Sequence, residues 1–507
     1  MNISRPTSIK VKRIVASMTA GAIALLSSCT AAVDSSPTTK PAISSPASTT
    51  SSSTTPTTTV APSPPVAGAD GVGDTLFPTA GNSGYDVADY NLSIDWDPAS
   101  KHLDGHEIIT ATTTENLSSF GLDLFGMDVA SVDVNGAAAT VNRDGSKLRI
   151  TPSAPLPEGE VFTVDISYAG TPAGEVGQIG WLSLENYVAV MGEPGSPNWF
   201  PVNGHPSDKA TYTIRLTVPE GTTAAANGEL TQQATTDGRT TSTFRMAQPM
   251  ASYLATVVIG PFTIVDGRTT SSGVKVRSYV ATSLLAEGTQ LFAPTSDMIE
   301  AFEKMFGAFP FATYGGVLIT DKLGFALETQ SLAVFAGNFA SGDNSWSVAH
   351  ELAHQWFGDD VTLETWRDTW LNEAFATYAE LLWAQSQDPS IDVAAWIRHT
   401  VEMGGPGMNH PPASPATAAD ILEPAVYQRG ALALHALRMA VGDDTFFKIL
   451  QTWVQRFGGA NATAEEFIAL SEELSGQDLT DLFQTWLYAD RLPPSLDGVD
   501  LVVPAPK

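Results

Sequence analysis

Val348-Ala349-His350-Glu351-Leu352-Ala353-His354-Gln355-Trp356-Phe357 is the stretch from which the rest of the chain is read. At 3.6 residues per turn, His350 and His354 fall one above the other on one helical face, so both imidazoles can hold a single metal ion. Glu351 lies beside them with its carboxylate free to hold that metal's water. Ser345 or Ser347 is the expected cap, Val348, Leu352 and Phe357 the packing face, and Gly358 the stop. Alone the motif is weak. It gains weight from Glu373, in Trp370-Leu371-Asn372-Glu373-Ala374-Phe375-Ala376, which sits on a second helical pattern (Trp366, Trp370, Leu371, Ala374, Tyr378). An inward acid there can be a third ligand. Two imidazoles and one carboxylate leave a coordination position open, which is the catalytic and not the closed structural arrangement. Zinc, one ion per chain, is the expected cofactor, because imidazole and carboxylate suit it and no thiolate is within reach. The competing reading is a buried histidine pair beside a solvated glutamate.

His350-Glu351-x-x-His354, eighteen residues, and then Glu373 in Trp-Leu-Asn-Glu resembles the gluzincin aminopeptidases, the aminopeptidase N family. The likeness runs from about Tyr85 to Leu492. It implies an α+β chain: an N-terminal all-β saddle or sandwich domain, then a thermolysin-like, mainly helical catalytic domain. The chain stops at Lys507, so the large helical C-terminal domain of many relatives is expected to be missing.

Composition narrows the partners. The 507 residues carry 55 acidic against 26 basic side chains, a net charge of −29, which argues against nucleic acid or an anionic membrane face. The single cysteine, Cys29, rules out an intramolecular disulfide. Arg5, Lys10, Lys12 and Arg13 precede an apolar run from Ile14 to Leu26, the pattern of a secretory signal over residues 1–28. Leu26-Ser27-Ser28-Cys29 looks like a bacterial lipobox, which would make Cys29 a lipidated first residue; an ordinary signal with an incidental cysteine is the alternative. Of the 32 residues from Ser35 to Val66, 25 are Ser, Thr or Pro. No core can form from that, so residues 29–73 are expected to be a tether reaching on the order of 100 Å at ~3.1 Å per residue. The expectation is a lipoprotein held by Cys29 in the membrane, outside the cytoplasmic membrane within the cell envelope.

Residues 74–267 have an apolar period of two. Tyr90, Leu92, Ile94 and Trp96 alternate with polar residues, Phe162, Val164, Ile166 and Tyr168 repeat the pattern, and Tyr212, Ile214, Leu216 and Val218 end at Pro219. Asp144-Gly145 and Asp237-Gly238 are hairpin-type turns. A binding module could reside in this domain alone. The segment Glu193 to Pro201, followed by Lys209-Ala210, resembles the family's junction, which implies that Glu193 helps bind the substrate's amino terminus. Met191 stands where the family has glutamine.

The catalytic half is expected over 268–507. A helical period starts near Thr289 (Leu291, Met298, Phe302, Met305) and ends near Gly307; Gly316 to Thr320 reads as a short strand. Phe325-Ala326-Leu327-Glu328-Thr329 is similar to the family's Gly-Ala-Met-Glu-Asn motif, with departures at Phe325, Leu327 and Thr329. The resemblance gives Glu328 the free α-ammonium of a peptide. Asp368 and Asn372 are candidates to orient the metal-bound imidazoles, capping or solvated roles being equally open. Val426-Tyr427-Gln428-Arg429-Gly430 matches the family's Tyr-x-Lys/Arg-Gly pattern, so Tyr427, expected to open a helix running to about Val441, would donate to the developing oxyanion. The reading is a zinc aminopeptidase acting on peptides with a free N-terminus. Glu351 is its general base, His350, His354 and Glu373 hold the metal, and Glu328 and Glu193 bind the amine. An endopeptidase on the same zinc and a non-catalytic envelope binding lipoprotein are the rivals.

Overall fold

The structure, a computed structural model, describes residues 63–172, 180–184, 186–191 and 196–503. Glu193, Cys29 and the expected signal segment lie outside the described residues.

Alternation of apolar and polar residues builds the first part. Eight strands form one sheet in the order 229–236, 239–251, 209–219, 85–97, 102–113, 161–170, 128–134 and 137–138. Neighbours are antiparallel except Lys209–Pro219, which runs parallel to Tyr85–Asp97. Along Tyr85–Asp97, Tyr90, Leu92, Ile94 and Trp96 point into the core, while Asp95 is exposed. Asp237 and Gly238 both take positive φ (52° and 75°), the requirement of a tight turn between right-twisted strands. Two four-stranded sheets complete this part. Between the layers lies an aromatic seam: Trp96 against Trp181 (ring centroids 5.1 Å), Trp199 against Phe200 (4.4 Å), and Tyr90 stacked on Tyr212 (5.0 Å).

The second part begins with a five-stranded sheet in the order 262–266, 275–281, 313–318, 332–335, 326–327. Its first strand precedes the expected boundary at Gly267. Helices follow: α1 (Leu285–Phe292), α2 (Thr295–Phe306), α3 (Ser345–Ala353), α4 (Trp370–Gln387), α5 (Val393–Gly404), α6 (Gly430–Val441), α7 (Asp443–Phe457) and α8 (Ala464–Ser475). The single helix expected from Thr289 to Gly307 is two, because Pro294 has no N–H to continue the ladder and instead starts α2. One continuous apolar core joins both parts. Among the described residues no helix is long and apolar enough to cross a membrane.

Two side chains of the β-rich part reach across to the segment between α3 and α4. Buried Asp74 accepts from the backbone N–H of Trp366 (2.9 Å) as well as from Leu76 and Phe77. Lys209 donates to the carbonyls of Asp359 (3.0 Å) and Asp360 (2.7 Å).

One buried group works against the fold. Glu107 pairs between Leu92 and Ile166, is fully buried, and neither carboxylate oxygen has a partner among the described residues. Burial pushes its acidity well above the usual carboxylate range. The folded chain therefore keeps a proton that the unfolded chain releases above pH ~4.3, and stability falls by up to about 1.4 kcal/mol per pH unit until the folded-state pKa is passed. Glu107→Gln is expected to change little near pH 4 and to stabilise increasingly towards neutrality. Thermal unfolding of both proteins across that range checks this, and a difference independent of pH contradicts it.

Candidate active site and metal centre

The helix that carries the histidines starts and stops differently from its sequence reading. Ser345 is itself the first helical residue, and its hydroxyl donates to Asp343 (3.0 Å). The Ser347 hydroxyl is occupied by the Asn344 carbonyl (2.8 Å), so neither serine caps the backbone. Regular α3 closes at Ala353, and His354 begins a turn in which its N–H donates to the His350 carbonyl (3.3 Å). Gly358, at φ 132°, reverses the chain, its N–H donating to Val361 (2.9 Å). A Cβ there would sit 3.2 Å from the Asn372 amide and 3.4 Å from His354 Nδ1, so glycine lets the turn fold under the histidine.

α4 packs against α3 and is buried continuously from Trp370 to Trp383. Glu373 therefore faces α3 and not solvent. His350 Nε2 lies 3.4 Å and His354 Nε2 3.5 Å from the same oxygen, Glu373 Oε2, and one ligand atom from each residue falls within 4.8 Å of the others. The outer ring nitrogens are engaged elsewhere. His350 Nδ1 is 2.8 Å from Glu380 Oε1, and His354 Nδ1 is 3.2 Å from the Phe357 carbonyl. Those contacts turn both Nε2 atoms towards Glu373. They also correct the expected orienters. Asp368 ends a short 3-10 turn and faces Thr365 (3.5 Å), while the Asn372 amide donates to Tyr253 (3.4 Å). The residue missed was Glu380. Its signal was its place seven residues beyond Glu373, two turns along the same face of a buried helix.

Burial and charge set the acidities. Burial raises Glu373, but the two histidines outweigh it and hold the carboxyl down at about 2. Burial dominates at Glu351 and pushes it up to about 8, against the pull of both imidazoles. Glu328 follows the short strand Ala326–Leu327 and is 8% exposed. It, Glu351 and His354 each bring a ligand atom within 4.8 Å of the others. The Gln355 amide donates to the backbone carbonyls of Glu328 (3.0 Å) and Glu351 (3.3 Å), which ties the Glu328 loop to the metal helix.

Tyr427, expected to open an α-helix, lies instead in a wide π-helical turn, Ala425–Arg429, ahead of α6. Its ring stands parallel to His350, centroids 6.5 Å apart and planes at 16°. Two neighbours hold it there. A Cβ on Gly430 would come 2.5 Å from that of Ala374, so glycine lets α6 lie directly on α4. The Arg429 guanidinium is fully buried and donates to the carbonyls of Met408, His410, Thr485, Trp486 and Ala489.

Residues 87–254 match the Peptidase M1 N-terminal domain, and residues 293–486 match the Peptidase family M1 domain. A solved M1 zinc metallopeptidase from Deinococcus radiodurans is 34% identical, with a TM-score of 0.76, covering 84% of this chain and 99% of that one. The chain belongs to the M1 metallopeptidase family. A mutant of the Deinococcus enzyme, bound to a Tyr-Ser-Ala substrate, gives a TM-score of 0.77. Aminopeptidase N of Streptomyces lividans is 27% identical over 396 residues, 72% of this chain and 46% of that protein. Aminopeptidase M1-A of rice (Oryza sativa subsp. japonica) is 29% identical over 332 residues. This M1 chain matches less than half the length of those curated relatives, 46% and 38%.

The donor set fits the family's zinc: two imidazole nitrogens and a carboxylate oxygen converge within ligand reach, their outer atoms already bonded. Removing the Glu380 carboxylate should loosen His350. Glu380→Ala is expected to weaken zinc binding about 10–100-fold. Competition against a chromophoric chelator measures this, and unchanged affinity would show that the contact does not orient the ligand.

Proposed function

We propose that this protein is a zinc aminopeptidase that hydrolyses the N-terminal peptide bond of peptides, with His350, His354 and Glu373 as the metal ligands. The observation that carries the reading is the placement of Glu328. A buried carboxylate with a ligand atom within 4.8 Å of Glu351 and His354 sets a fixed negative charge beside the reacting bond. An α-ammonium held there brings the first peptide bond over the metal. The Tyr-Ser-Ala substrate of the Deinococcus mutant is in keeping with a peptide.

Zinc, when bound, supplies a Lewis acid and brings the pKa of water towards ~7. Glu351 takes the proton of the attacking water and later delivers it to the departing amine. Its place beside both histidines, buried from bulk water, suits it to both duties. Tyr427, a neutral phenol beside His350, donates to the oxygen on which negative charge develops. Glu193 joins Glu328 in this reading as a second carboxylate for the ammonium. We further assign residues 1–28 as a secretory signal and Cys29 as the lipid attachment point, which places the enzyme in the cell envelope on a Ser/Thr/Pro-rich tether. The basic and apolar run before Leu26-Ser27-Ser28-Cys29 supports that assignment.

A panel of aminoacyl-anilides and their N-acetylated counterparts tests the activity on zinc-loaded protein. Cleavage of the free-amine compounds alone is expected. Equal cleavage of blocked ones would favour an endopeptidase, and no cleavage of either would return weight to a binding protein. Glu351→Gln is expected to keep the metal and lose about 10²–10⁴-fold in kcat. Zinc analysis alongside turnover checks both halves, and an unchanged kcat removes the base role.

A further inference from the structure

We propose that Asp74 is a positioning residue for the metal centre, capping from the β-rich part the helical run that carries Glu373 and Glu380. That run begins at Trp366: a 3-10 turn, Trp366–Asp368, passes through Thr369 in helical conformation (φ −51°, ψ −27°) into α4. Its first N–H groups have no acceptor within the helix and need one from elsewhere. Neither local threonine caps it. Thr365 turns its hydroxyl to the Asp368 carboxylate (3.5 Å), and Thr369 donates to the Trp366 carbonyl (2.6 Å). The Trp366 N–H goes instead to Asp74 Oδ2 (2.9 Å), 292 residues away in the chain. The fully buried Asp74 carboxylate is well placed to take it. Oδ1 accepts from Leu76 (2.7 Å) and Phe77 (3.0 Å), and Oδ2 also meets His205 Nε2 (3.3 Å). The Ser207 N–H donates to His205 Nδ1 (3.2 Å), which puts the ring proton on Nε2, facing Asp74. Burial raises the acidity constant of Asp74, but these donors outweigh it and keep the carboxyl below its ordinary range. It is therefore charged where a helix start favours an anion.

The cap reaches the metal by two routes. The carbonyl of Thr369 accepts the N–H groups of Asn372 (3.0 Å) and Glu373 (3.1 Å), so the backbone of the ligand hangs from the turn that Asp74 starts. The Trp366 ring packs on Phe77 (centroids 5.9 Å apart) and on Tyr253 (5.3 Å). The Tyr253 oxygen in turn accepts from the side-chain amide of Asn372 (3.4 Å), the residue before Glu373. Asp74 and Phe77 therefore hold both the backbone and the ring from which Glu373 is placed. The Glu328 loop is held by a different group, Gln355. Loss of the cap should loosen the metal and leave the amine anchor where it is.

The proposal rests on His350, His354 and Glu373 being the zinc ligands. The test measures zinc affinity of the full chain by competition with a chromophoric chelator, and KM for a free-amine aminoacyl-anilide at saturating zinc. Asp74→Ala is expected to weaken zinc about fivefold, the size of a lost helix cap, with KM unchanged. Phe77→Ala removes a half-buried ring and leaves the carboxylate; it should shift zinc affinity the same way by less, and it decides the matter if Asp74→Ala does not fold. Leu92→Ala, a cavity in the core of the β-rich part, is the control: thermal stability should fall at least as far while zinc affinity holds. Wild-type zinc affinity in folded Asp74→Ala overturns the proposal, or in Phe77→Ala where Asp74→Ala does not fold. So does an equal loss of affinity in Leu92→Ala, or a rise in KM as large as the loss of zinc affinity, since either is general loosening. The two readings separate: a chain that binds zinc through Asp74 but cleaves nothing sinks only the aminopeptidase, and a free-amine-specific peptidase indifferent to Asp74 sinks only this role.

Discussion

Four buried carboxyl groups, Glu328, Glu351, Glu373 and Glu380, crowd around buried His354 and the partly buried His350. Charges removed from water are costly unless they are paired, and this arrangement pairs only two of the four carboxylates. Glu373 sits between the two histidines and Glu380 engages the back of one. Glu351 and Glu328 face the other side, and burial raises both. The site is thus balanced by cations arriving from outside: a metal between the histidines and Glu373 and, in the function proposed above, a substrate ammonium at Glu328. Everything else in the second half serves to keep these groups from separating. Small residues let the helices approach closely: Ala349 and Ala353 on α3, and Ala374 under Gly430. Close packing turns the repulsion into a binding requirement instead of a source of disorder.

That packing depends on the β-rich part. The segment joining α3 to α4, residues 354–369, has to return the chain so that Glu373 meets the histidines. It is held from outside the helices. Lys209 gathers the carbonyls of Asp359 and Asp360 in the turn that follows α3, and Asp74 holds the Trp366 N–H just before α4. Burial lowers the Lys209 ammonium to about 8, so the contact is made at some electrostatic cost. A β domain that only lent an edge to the site would not need a buried lysine under the metal helices. Here it fixes the register of the two helices on which coordination depends.

What the sequence made legible follows from period. His350 and His354 are one helical turn apart and Glu373 sits on a second helical pattern, while alternation marked the strands at 85–97, 161–170 and 209–219. The five-stranded sheet was largely hidden because its inner strands are buried on both faces. Leu332-Ala333-Val334-Phe335 is a short apolar run with no alternation to read. Glu380 was hidden for a related reason: α4 is buried all round, so no solvent face marked a glutamate as turned inward. The cap of α3 went wrong because Ser345 and Ser347 both had acceptors nearer than the free N–H groups. Nothing in the strand-to-loop pattern signalled the π turn at Tyr427, which depends on the remote carbonyls that hold Arg429.

The departures from the family motif around Glu328 bear on how firmly this proposed amine anchor is placed. Thr329 stands where the family has asparagine, and it is fully buried. Its hydroxyl donates to the Leu332 carbonyl (2.5 Å) while the Leu332 N–H returns to the Thr329 carbonyl (3.0 Å), so threonine closes this turn itself. Ser331 then adopts φ 66°, a conformation that a non-glycine residue holds only when its surroundings demand it. The demand comes from Gln355, whose oxygen accepts the Ser331 N–H (2.7 Å), and from Gly228, whose N–H donates to the Ser331 hydroxyl (2.7 Å). Gln355 follows His354 directly in the chain. One amide side chain in the turn that closes the metal helix therefore fixes both ends of the Glu328 loop. The Glu328 loop and the turn that carries His354 are held to each other, and the departure at Thr329 keeps that connection. Phe325 and Leu327 are only partly buried and pack on the core's edge, so a change there alters the neighbourhood of Glu328 without loosening the backbone that positions it.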